Sequence, residues 1–285
     1  MWRLFYSLKA ALRFRDYKPQ AVTFGSAHQW MGQFDKQDRR LAGSLLDNVV
    51  YFSEDRTTRI LIKLNAAILQ RLANNGIPAK KVIYVSFDET SSSSHIMLGM
   101  LRDKAALIQR GCNLCDARDV RGLKETADRL EDGAIVYIDD FIGSARQFCN
   151  ARDFAMQFVQ GDFVEYMMAP SICEEGQIAL AERKIEVVAD TIHKRTDRAL
   201  QAESTFFSEK DRMRAVEICQ RISPKMALGI DDMATMVVFY RNSPNQLPAM
   251  LRGNKNLKPF RGLFPRTTDL PFSKYVQEPK KKKSG

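Results

Sequence analysis

The chain has 285 residues and a formal net charge of +10, with 45% hydrophobic and 27% charged residues. This composition is ordinary for a globular protein with a substantial core, and it excludes a disordered body. No stretch approaches the ~18–20 consecutive apolar residues of a membrane helix, and the N-terminal segment lacks the apolar core of a signal peptide. We therefore expect a cytoplasmic protein with no membrane partner.

The cysteines favour neither a disulfide framework nor a metal site. Their number is five, which is odd, and the chain is long, whereas disulfide frameworks are typical of short secreted chains. Cys112 and Cys115 form a C-x-x-C motif without a second pair or a nearby histidine. A structural zinc ion needs four ligands, so we predict buried or half-buried thiols and no metal ligands.

The first part of the chain is predicted to be helical. Residues 1–80 contain apolar residues at helical spacing, most clearly in a helix that begins near Ser53 and ends before Gly76. The run 82–87 is short, apolar and rich in β-branched residues, which indicates a buried strand. A polar loop at 88–94 follows, and a helix is predicted from His95 to Gln109.

Strands and helices then alternate. Further apolar runs at 134–138, 163–168 and 185–189 are separated by predicted helices. This alternation predicts an α/β fold with a parallel sheet, in which ligands bind beyond the carboxyl ends of the strands. The loops there are 88–94, 139–146 and 169–174. Later in the chain, 195–225 is predicted to be helical, 236–240 to add an edge strand, and 241–285 to be irregular.

These elements predict three regions. They are an N-terminal helical region (1–80) that packs on the core, an α/β domain (81–270), and a basic, disordered tail (271–285) with the run Lys280–Lys283. The remaining basic excess includes a small cluster at Lys194, Arg195 and Arg198. Excess positive charge suits phosphorylated ligands or nucleic acid and does not distinguish them.

The segment 135–146 carries the clearest chemical signal. Four apolar residues precede the adjacent carboxylates Asp139 and Asp140, and a turn of small residues then opens a helix. Small side chains let a ligand approach the backbone, and the N–H groups of a helix N-terminus bind phosphate. Two adjacent carboxylates suit a wet rim and can accept hydrogen bonds from ribose hydroxyls. A solvated Asp-Asp turn that ends an ordinary strand is the alternative.

This pattern resembles the phosphoribosyl-diphosphate (PRPP) motif of type I phosphoribosyltransferases. The resemblance implies that Asp139 and Asp140 bind the ribose hydroxyls and favour the ribosyl cation. It also implies two ligand-binding loops. The loop that wraps the 5-phosphate contains Gly143, Ser144, Ala145 and Arg146, and the loop that contacts pyrophosphate contains Ser91, Ser92, Ser93 and Ser94. The serine run is equally well explained as a flexible loop.

Motifs nearer the C-terminus narrow the resemblance. The segment 229–248 includes Asn-x-Pro-Asn and a Leu-Pro, and Leu263–Arg266 has the form Leu-Phe-x-Arg. Over residues 28–266 the chain looks like the phosphoribosyltransferase-like family encoded beside bacterial antiphage conflict systems, retrons among them. The resemblance implies that Asn242 and Asn245 fold over the site as ligand-binding residues. An Asn-Pro turn after a strand is the alternative.

The resemblance also implies a function. The donor would be PRPP with Mg²⁺, held chiefly by the ligand's own oxygens, and the acceptor would be a nucleotide or be linked to nucleic acid. The chain would act as a toxin-like effector in antiviral defence. In the alternative, catalysis is reduced, and the protein binds a ligand or assembles with a retron reverse transcriptase and its RNA–DNA, a winged-helix protein, or further copies of itself.

Overall fold

The computed structural model describes residues 2–87, 93–254 and 260–270. The chain forms two compact units, one from residues 1–53 and 196–285 and the other from residues 54–195. These bounds differ from the predicted border near residue 80. The helix that begins at Glu54 belongs with the sheet, because its apolar face supplies a layer of that unit, and residues beyond 195 join the N-terminal helices.

The elements of the described residues are numbered in chain order. The helices are α1 (Trp2–Arg13), α2 (Phe24–Gly32), α3 (Arg39–Asp47), α4 (Glu54–Asn74), α5 (Ser93–Lys104), α6 (Val120–Leu130), α7 (Arg146–Ala155), α8 (Glu174–Ala181), α9 (Glu209–Ile222) and α10 (Ala249–Arg252). The strands are β1 (Val50–Phe52), β2 (Val82–Ser86), β3 (Asn113–Asp116), β4 (Asp132–Ile138), β5 (Phe141–Ile142), β6 (Asp162–Cys173), β7 (Glu186–His193) and β8 (Val237–Phe239).

The continuous unit, residues 54–195, is built on a parallel sheet. The strand order is β3-β2-β4-β6-β7, and β5 continues along the β4 side of β6. The strand pairs β2–β3, β2–β4, β4–β6 and β6–β7 are all parallel, so the predicted α/β fold with a parallel sheet is confirmed. β2 is buried along its whole length, as expected for an apolar strand covered on both faces.

Helix ends in this unit follow local signals. α4 begins directly after Ser53, with Glu54 and Asp55 in its first turn, where carboxylates favour the helix dipole. Asp119 caps α6 by accepting a hydrogen bond from the N–H of Gly122 at 2.9 Å. α5 ends at Lys104, earlier than the predicted end at Gln109.

The discontinuous unit joins the two ends of the described chain. β1 pairs in parallel with β8, with Tyr51 opposite Val238. The run 236–240 was therefore wrongly predicted as an edge strand of the main sheet, because its partner comes from residues near position 50. The Trp30 indole donates to the Met250 carbonyl at 2.9 Å, and the Tyr17 hydroxyl donates to the Pro265 carbonyl at 2.6 Å. Contacts of such sequence separation leave no periodic signal in the sequence.

Candidate functional site

The acidic pair interrupts a strand in the middle of the sheet. β4 ends at Ile138 opposite Met168, and β5 begins at Phe141 opposite Ser171, so both follow β6 in one register. Asp139 and Asp140 fill the gap, opposite Ala169 and Pro170 on β6. Proline has no N–H to donate to a ladder, which explains a break at this level. The acidic pair thus lies between two strand segments at the carboxyl end of β4.

At this break the alternation of side chains between the two faces of the sheet also changes. Ile135 and Tyr137 of β4 face the main core cluster, yet on β5 the residue in that cluster is Ile142, an odd number of positions later. On β6, Met167 and Ala169 are followed in the cluster by Ile172. Side chains of an unbroken strand alternate with a period of two. The alternation therefore shifts by one residue between Tyr137 and Ile142, and it shifts likewise between Ala169 and Ile172 on β6, at the level of the acidic pair.

Two serines of α5 tie a second loop to this break. Ser93 Oγ donates to Asp139 Oδ1 at 2.7 Å, and Asp139 Oδ1 also accepts the N–H of Asp140 at 2.8 Å. Ser94 Oγ donates to the Ile138 carbonyl at 2.7 Å and accepts the N–H of Phe87 at 2.8 Å. The structure therefore brings Ser93 and Ser94 to the acidic pair. The buried Ser94 clamps the ends of β2 and β4, whereas Ser91 and Ser92 lie outside the described residues.

The small-residue turn leads into α7 with an unusual backbone. Ala145 precedes the helix with φ 58° and ψ 2°, a left-handed conformation that favours glycine. Its side chain caps none of the N–H groups of the first turn. Gly143 is buried, Ser144 is half-buried and Arg146 is exposed. A turn of small residues is therefore placed ahead of a helix N-terminus that carries no side-chain cap from its N-cap residue.

Glycine also shapes this turn from behind. A Cβ atom on Gly176 of α8 would lie 2.4 Å from the Gly143 carbonyl oxygen, closer than real Cβ contacts allow. Gly176 therefore permits the first turn of α8 to pack directly against the backbone of the loop. Close packing of α8 against the backbone holds the loop in place. The small residues of the loop therefore allow this packing as well as the approach of a ligand.

The far end of α7 is fixed by ionic contacts. Arg152 forms a two-pronged pair with Glu165 of β6, and Glu165 also accepts the hydroxyl hydrogen of Tyr137. Burial, together with the nearby Glu165 carboxylate, raises the pKa of Tyr137 well above its usual value, so this hydroxyl remains a donor. Asp153 pairs with Arg183, just beyond α8, at 3.1 Å. These contacts hold α7, and with it the loop at its N-terminus, against β6 and α8.

The two predicted asparagines lie in the discontinuous unit. Asn242 Oδ1 accepts the N–H of Thr267 at 3.3 Å, and Asn245 Oδ1 accepts from Arg252 at 3.1 Å. Between them, Ser243 Oγ donates to the Phe264 carbonyl at 2.9 Å, and Arg266 donates to the Ser243 carbonyl at 3.0 Å. The Asn-x-Pro-Asn and Leu-Phe-x-Arg motifs thus bind each other through Ser243, and the role of Asn242 and Asn245 as ligand-binding residues stays a prediction.

The basic cluster near residue 195 is divided by the structure. Arg195 lies 3.2 Å from Glu175, and its N–H donates to Glu174 at 2.7 Å, so this arginine ties β7 to the start of α8. Arg198 is fully buried and belongs to the discontinuous unit. The predicted basic cluster is therefore not one surface.

Sequence reasoning missed one polar pair at the same edge of the sheet. His193 Nε2 and Ser171 Oγ are 2.7 Å apart and both residues are buried. Ser171 lies just past Pro170 and opposite Phe141. The prediction ended the β6 strand at Met168, because proline usually ends a central strand. In the sequence, only Ser171, a polar residue between Pro170 and the apolar Ile172, indicates this pair.

The cysteines and other metal ligands form no evident cluster. Cys112, Cys115, Cys149, Cys173 and Cys219 form no disulfide bond. Burial raises the pKa of Cys219 to about 12, so this thiol stays protonated. Across the described ranges, no group of three or more His, Cys, Asp or Glu side chains is placed to hold a metal ion. In the same ranges, no helix is both long and apolar enough to cross a membrane.

Comparisons with known proteins identify the family. No curated protein matches the sequence. One solved structure, described as the crystal structure of TT1426 from Thermus thermophilus, is similar at 14% identity, with a TM-score of 0.31, and the match covers 50% of this chain and 86% of that one. A family model described as PRTase-CE matches residues 27–266, which is most of the chain. The chain therefore belongs to the phosphoribosyltransferase-like PRTase-CE family.

Proposed function

We propose that the interrupted strand binds PRPP, with the ribose hydroxyls at Asp139 and Asp140 and the 5-phosphate at the loop Gly143–Arg146. The observation that carries this proposal is the break between β4 and β5, opposite Pro170, which holds two half-buried carboxylates two residues before a small-residue turn and a helix. An acidic turn without a ligand needs neither the change of face in two strands nor the left-handed Ala145.

The phosphate end of the ligand is recognised by backbone. The N-terminus of α7 carries a partial positive charge and directs N–H groups outward, which favours a phosphate dianion. Ala145 places no oxygen over these groups, because its side chain is buried in the core cluster and makes no capping hydrogen bond. Ser93, whose hydroxyl donates to Asp139, orients one carboxylate for the ribose hydroxyls.

The residues also fit a magnesium-bound ligand. Mg²⁺ prefers carboxylate oxygens and water and usually binds with the substrate's own phosphates, so one or both of Asp139 and Asp140 would suffice from the protein. Bound with PRPP, Mg²⁺ neutralises charge on the departing pyrophosphate. The two carboxylates would favour positive charge on the ribose ring as the bond from C1 to the pyrophosphate oxygen breaks with its electron pair. An acceptor nitrogen or oxygen would then form the new bond to C1 and lose its proton to water.

The biological role that we propose is that of a defence effector. Membership of the PRTase-CE family supports a phosphoribosyl transfer. We propose a nucleotide or a nucleic-acid-linked molecule as the acceptor. Such a modification would arrest the growth of the infected cell. The basic net charge suits such an anionic acceptor.

Calorimetric titration of PRPP with Mg²⁺ tests the site. We expect the double variant Asp139→Asn/Asp140→Asn to lose binding at least tenfold while it keeps its fold, because both asparagines retain the shape but not the charge. A matched control is Glu131→Gln/Asp132→Asn, which neutralises an adjacent acidic pair at the amino end of the same strand β4. This control should bind like the wild type.

Either outcome decides between the functions. Equal loss in both double variants would show a general charge effect and contradict the assigned site. A folded wild-type protein that binds no PRPP would contradict the proposal and favour the alternative of an assembly component. If the wild-type protein binds PRPP, release of pyrophosphate on addition of candidate acceptors would indicate an enzyme, and no release would indicate a ligand sensor.

A further inference from the structure

Helix α1 carries an apolar stripe that the other described residues leave exposed. Leu4, Leu8 and Leu12 recur at four-residue spacing and are 55–67% exposed, and Phe5 and Trp2 beside them are about half exposed. The opposite face, with Tyr6, Ser7 and Ala10, is buried. Monomeric proteins rarely leave such a contiguous stripe in water, so it indicates an interaction surface.

The charges beside this stripe are basic. Residues 1–15 include Arg3, Lys9, Arg13 and Arg15 and neither aspartate nor glutamate. The guanidinium of the exposed Arg40 lies 5.6 Å from the Trp2 ring centroid. The nearest acid in contact is Asp47, whose carboxylate is 2.6 Å from Lys9. The stripe therefore suits a binding partner that has an apolar interior and a negatively charged surface.

A second copy of the chain fits these features poorly. A 12-residue helix is about 18 Å long and about 10 Å wide. The area that it covers is therefore far below the roughly 800 Å² that each partner of a stable protein interface buries. Pairing two such helices would also bring like charges together. A bilayer needs no second protein surface, because it takes up apolar side chains wherever they protrude.

We propose that α1 lies in the surface of an anionic membrane, with its leucine stripe and Trp2 among the acyl chains and the exposed Arg15 and Arg40 at the headgroups. Arg3 and Arg13 instead donate to backbone carbonyls of the protein. Apolar leucine and aromatic residues on one face with lysine and arginine on the other are the features of such interfacial helices. This role differs from the expectation of no membrane partner, which considered only helices that span a bilayer. It is independent of the proposed PRPP site.

Vesicle sedimentation with the full chain tests the proposal. We expect binding to vesicles of phosphatidylcholine with phosphatidylglycerol, and at least tenfold weaker binding to phosphatidylcholine alone. The variant Leu4→Gln/Leu8→Gln/Leu12→Gln should also lose at least tenfold. The control Met213→Gln removes a side chain of similar exposure (61%) from α9 in the same unit and should bind like the wild type.

Tryptophan fluorescence separates insertion from nonspecific attraction. Trp2 is 48% exposed and Trp30 is 2% exposed, so a blue shift on addition of vesicles should come from Trp2 and vanish in Trp2→Phe. Binding without this shift, or binding that is lost only on removal of Lys280–Lys283, would overturn the proposal in favour of tail electrostatics. No binding to anionic vesicles would also overturn it, as would a triple variant that changes only the oligomeric mass.

Discussion

The two compact units reach order in different ways. The continuous unit takes residues 54–195 in one piece, and each strand of its sheet pairs with a strand no more than two positions away in chain order. The discontinuous unit is joined by pairs of residues that are far apart, such as Tyr17 with Pro265 and Asp38 with Arg214. The first unit depends mainly on local patterns, whereas the second depends on both of its segments being present.

This difference bears on function. The acidic pair, the small-residue turn and the serines that contact them all come from the continuous unit. The predicted asparagines and the closing Leu-Phe-x-Arg motif come from the discontinuous unit, where Ser243, between the two asparagines, binds Phe264 and Arg266 of that motif. Motifs from both units define the resemblance to the family, but in the described contacts the first group surrounds a candidate ligand site and the second holds chain segments together.

The largest expected effect comes from separating the units. A fragment of residues 54–195 should fold and unfold cooperatively on heating, because its sheet and core cluster are made within it. A fragment of residues 196–270 should remain unfolded, because β8 then lacks β1 and the hydrogen bonds to Trp30 and Tyr17 are lost. Circular dichroism during thermal unfolding measures both. A cooperative transition in the fragment of residues 196–270 would contradict the claim that this unit needs both of its segments.

Buried ion pairs offer a sharper test within the full chain. The side chain of Glu165 is 10% exposed, and Arg152→Ala removes its arginine partner. The side chain of Asp269 is 4% exposed, and Arg252→Ala removes its arginine partner in the same way. Loss of one partner of a buried pair costs about 3–5 kcal/mol in the free energy of unfolding. The exposed pair Arg59–Asp55 is the control, and Arg59→Ala should cost about 0.5 kcal/mol or less.

Hydrogen exchange shows where each substitution acts. We expect Arg152→Ala to speed exchange in β4 and β6, and Arg252→Ala to speed exchange in α10 and α2. If each variant loosened both units equally, the units would unfold as one, and the distinction between them would not hold in solution.

The smallest effect concerns the turn before α7. Ala145→Gly should stabilise the protein by up to about 1 kcal/mol, because glycine adopts the left-handed conformation without the penalty that a Cβ carries. Ala151→Gly, within the same helix, should instead destabilise by about 1 kcal/mol. Urea unfolding measures both changes. A loss of stability in Ala145→Gly would show that this backbone is not left-handed in solution.

Part of the candidate site was predictable from residue order alone. Four apolar residues followed by Asp139 and Asp140 indicate a buried strand with a polar end, because carboxylates do not belong in a dry core. The helix after Gly143 follows from apolar spacing. The contact of Ser93 with Asp139 joins two loops 46 residues apart, and only the parallel pairing of β2 with β4 creates it.

The sequence by itself determined the α/β class, the order of the strands along the chain and the place of the acidic pair, because these depend on local periodicity and on the solubility of side chains. Tertiary structure decided that β6 continues past Pro170, that β8 pairs with β1, and that Asn242 and Ser243 bind the C-terminal segment around Phe264 and Thr267. Each of these rests on partners that lie far away in the sequence. Free energy gained by such contacts appears only when the chain is folded, so no local pattern reports it.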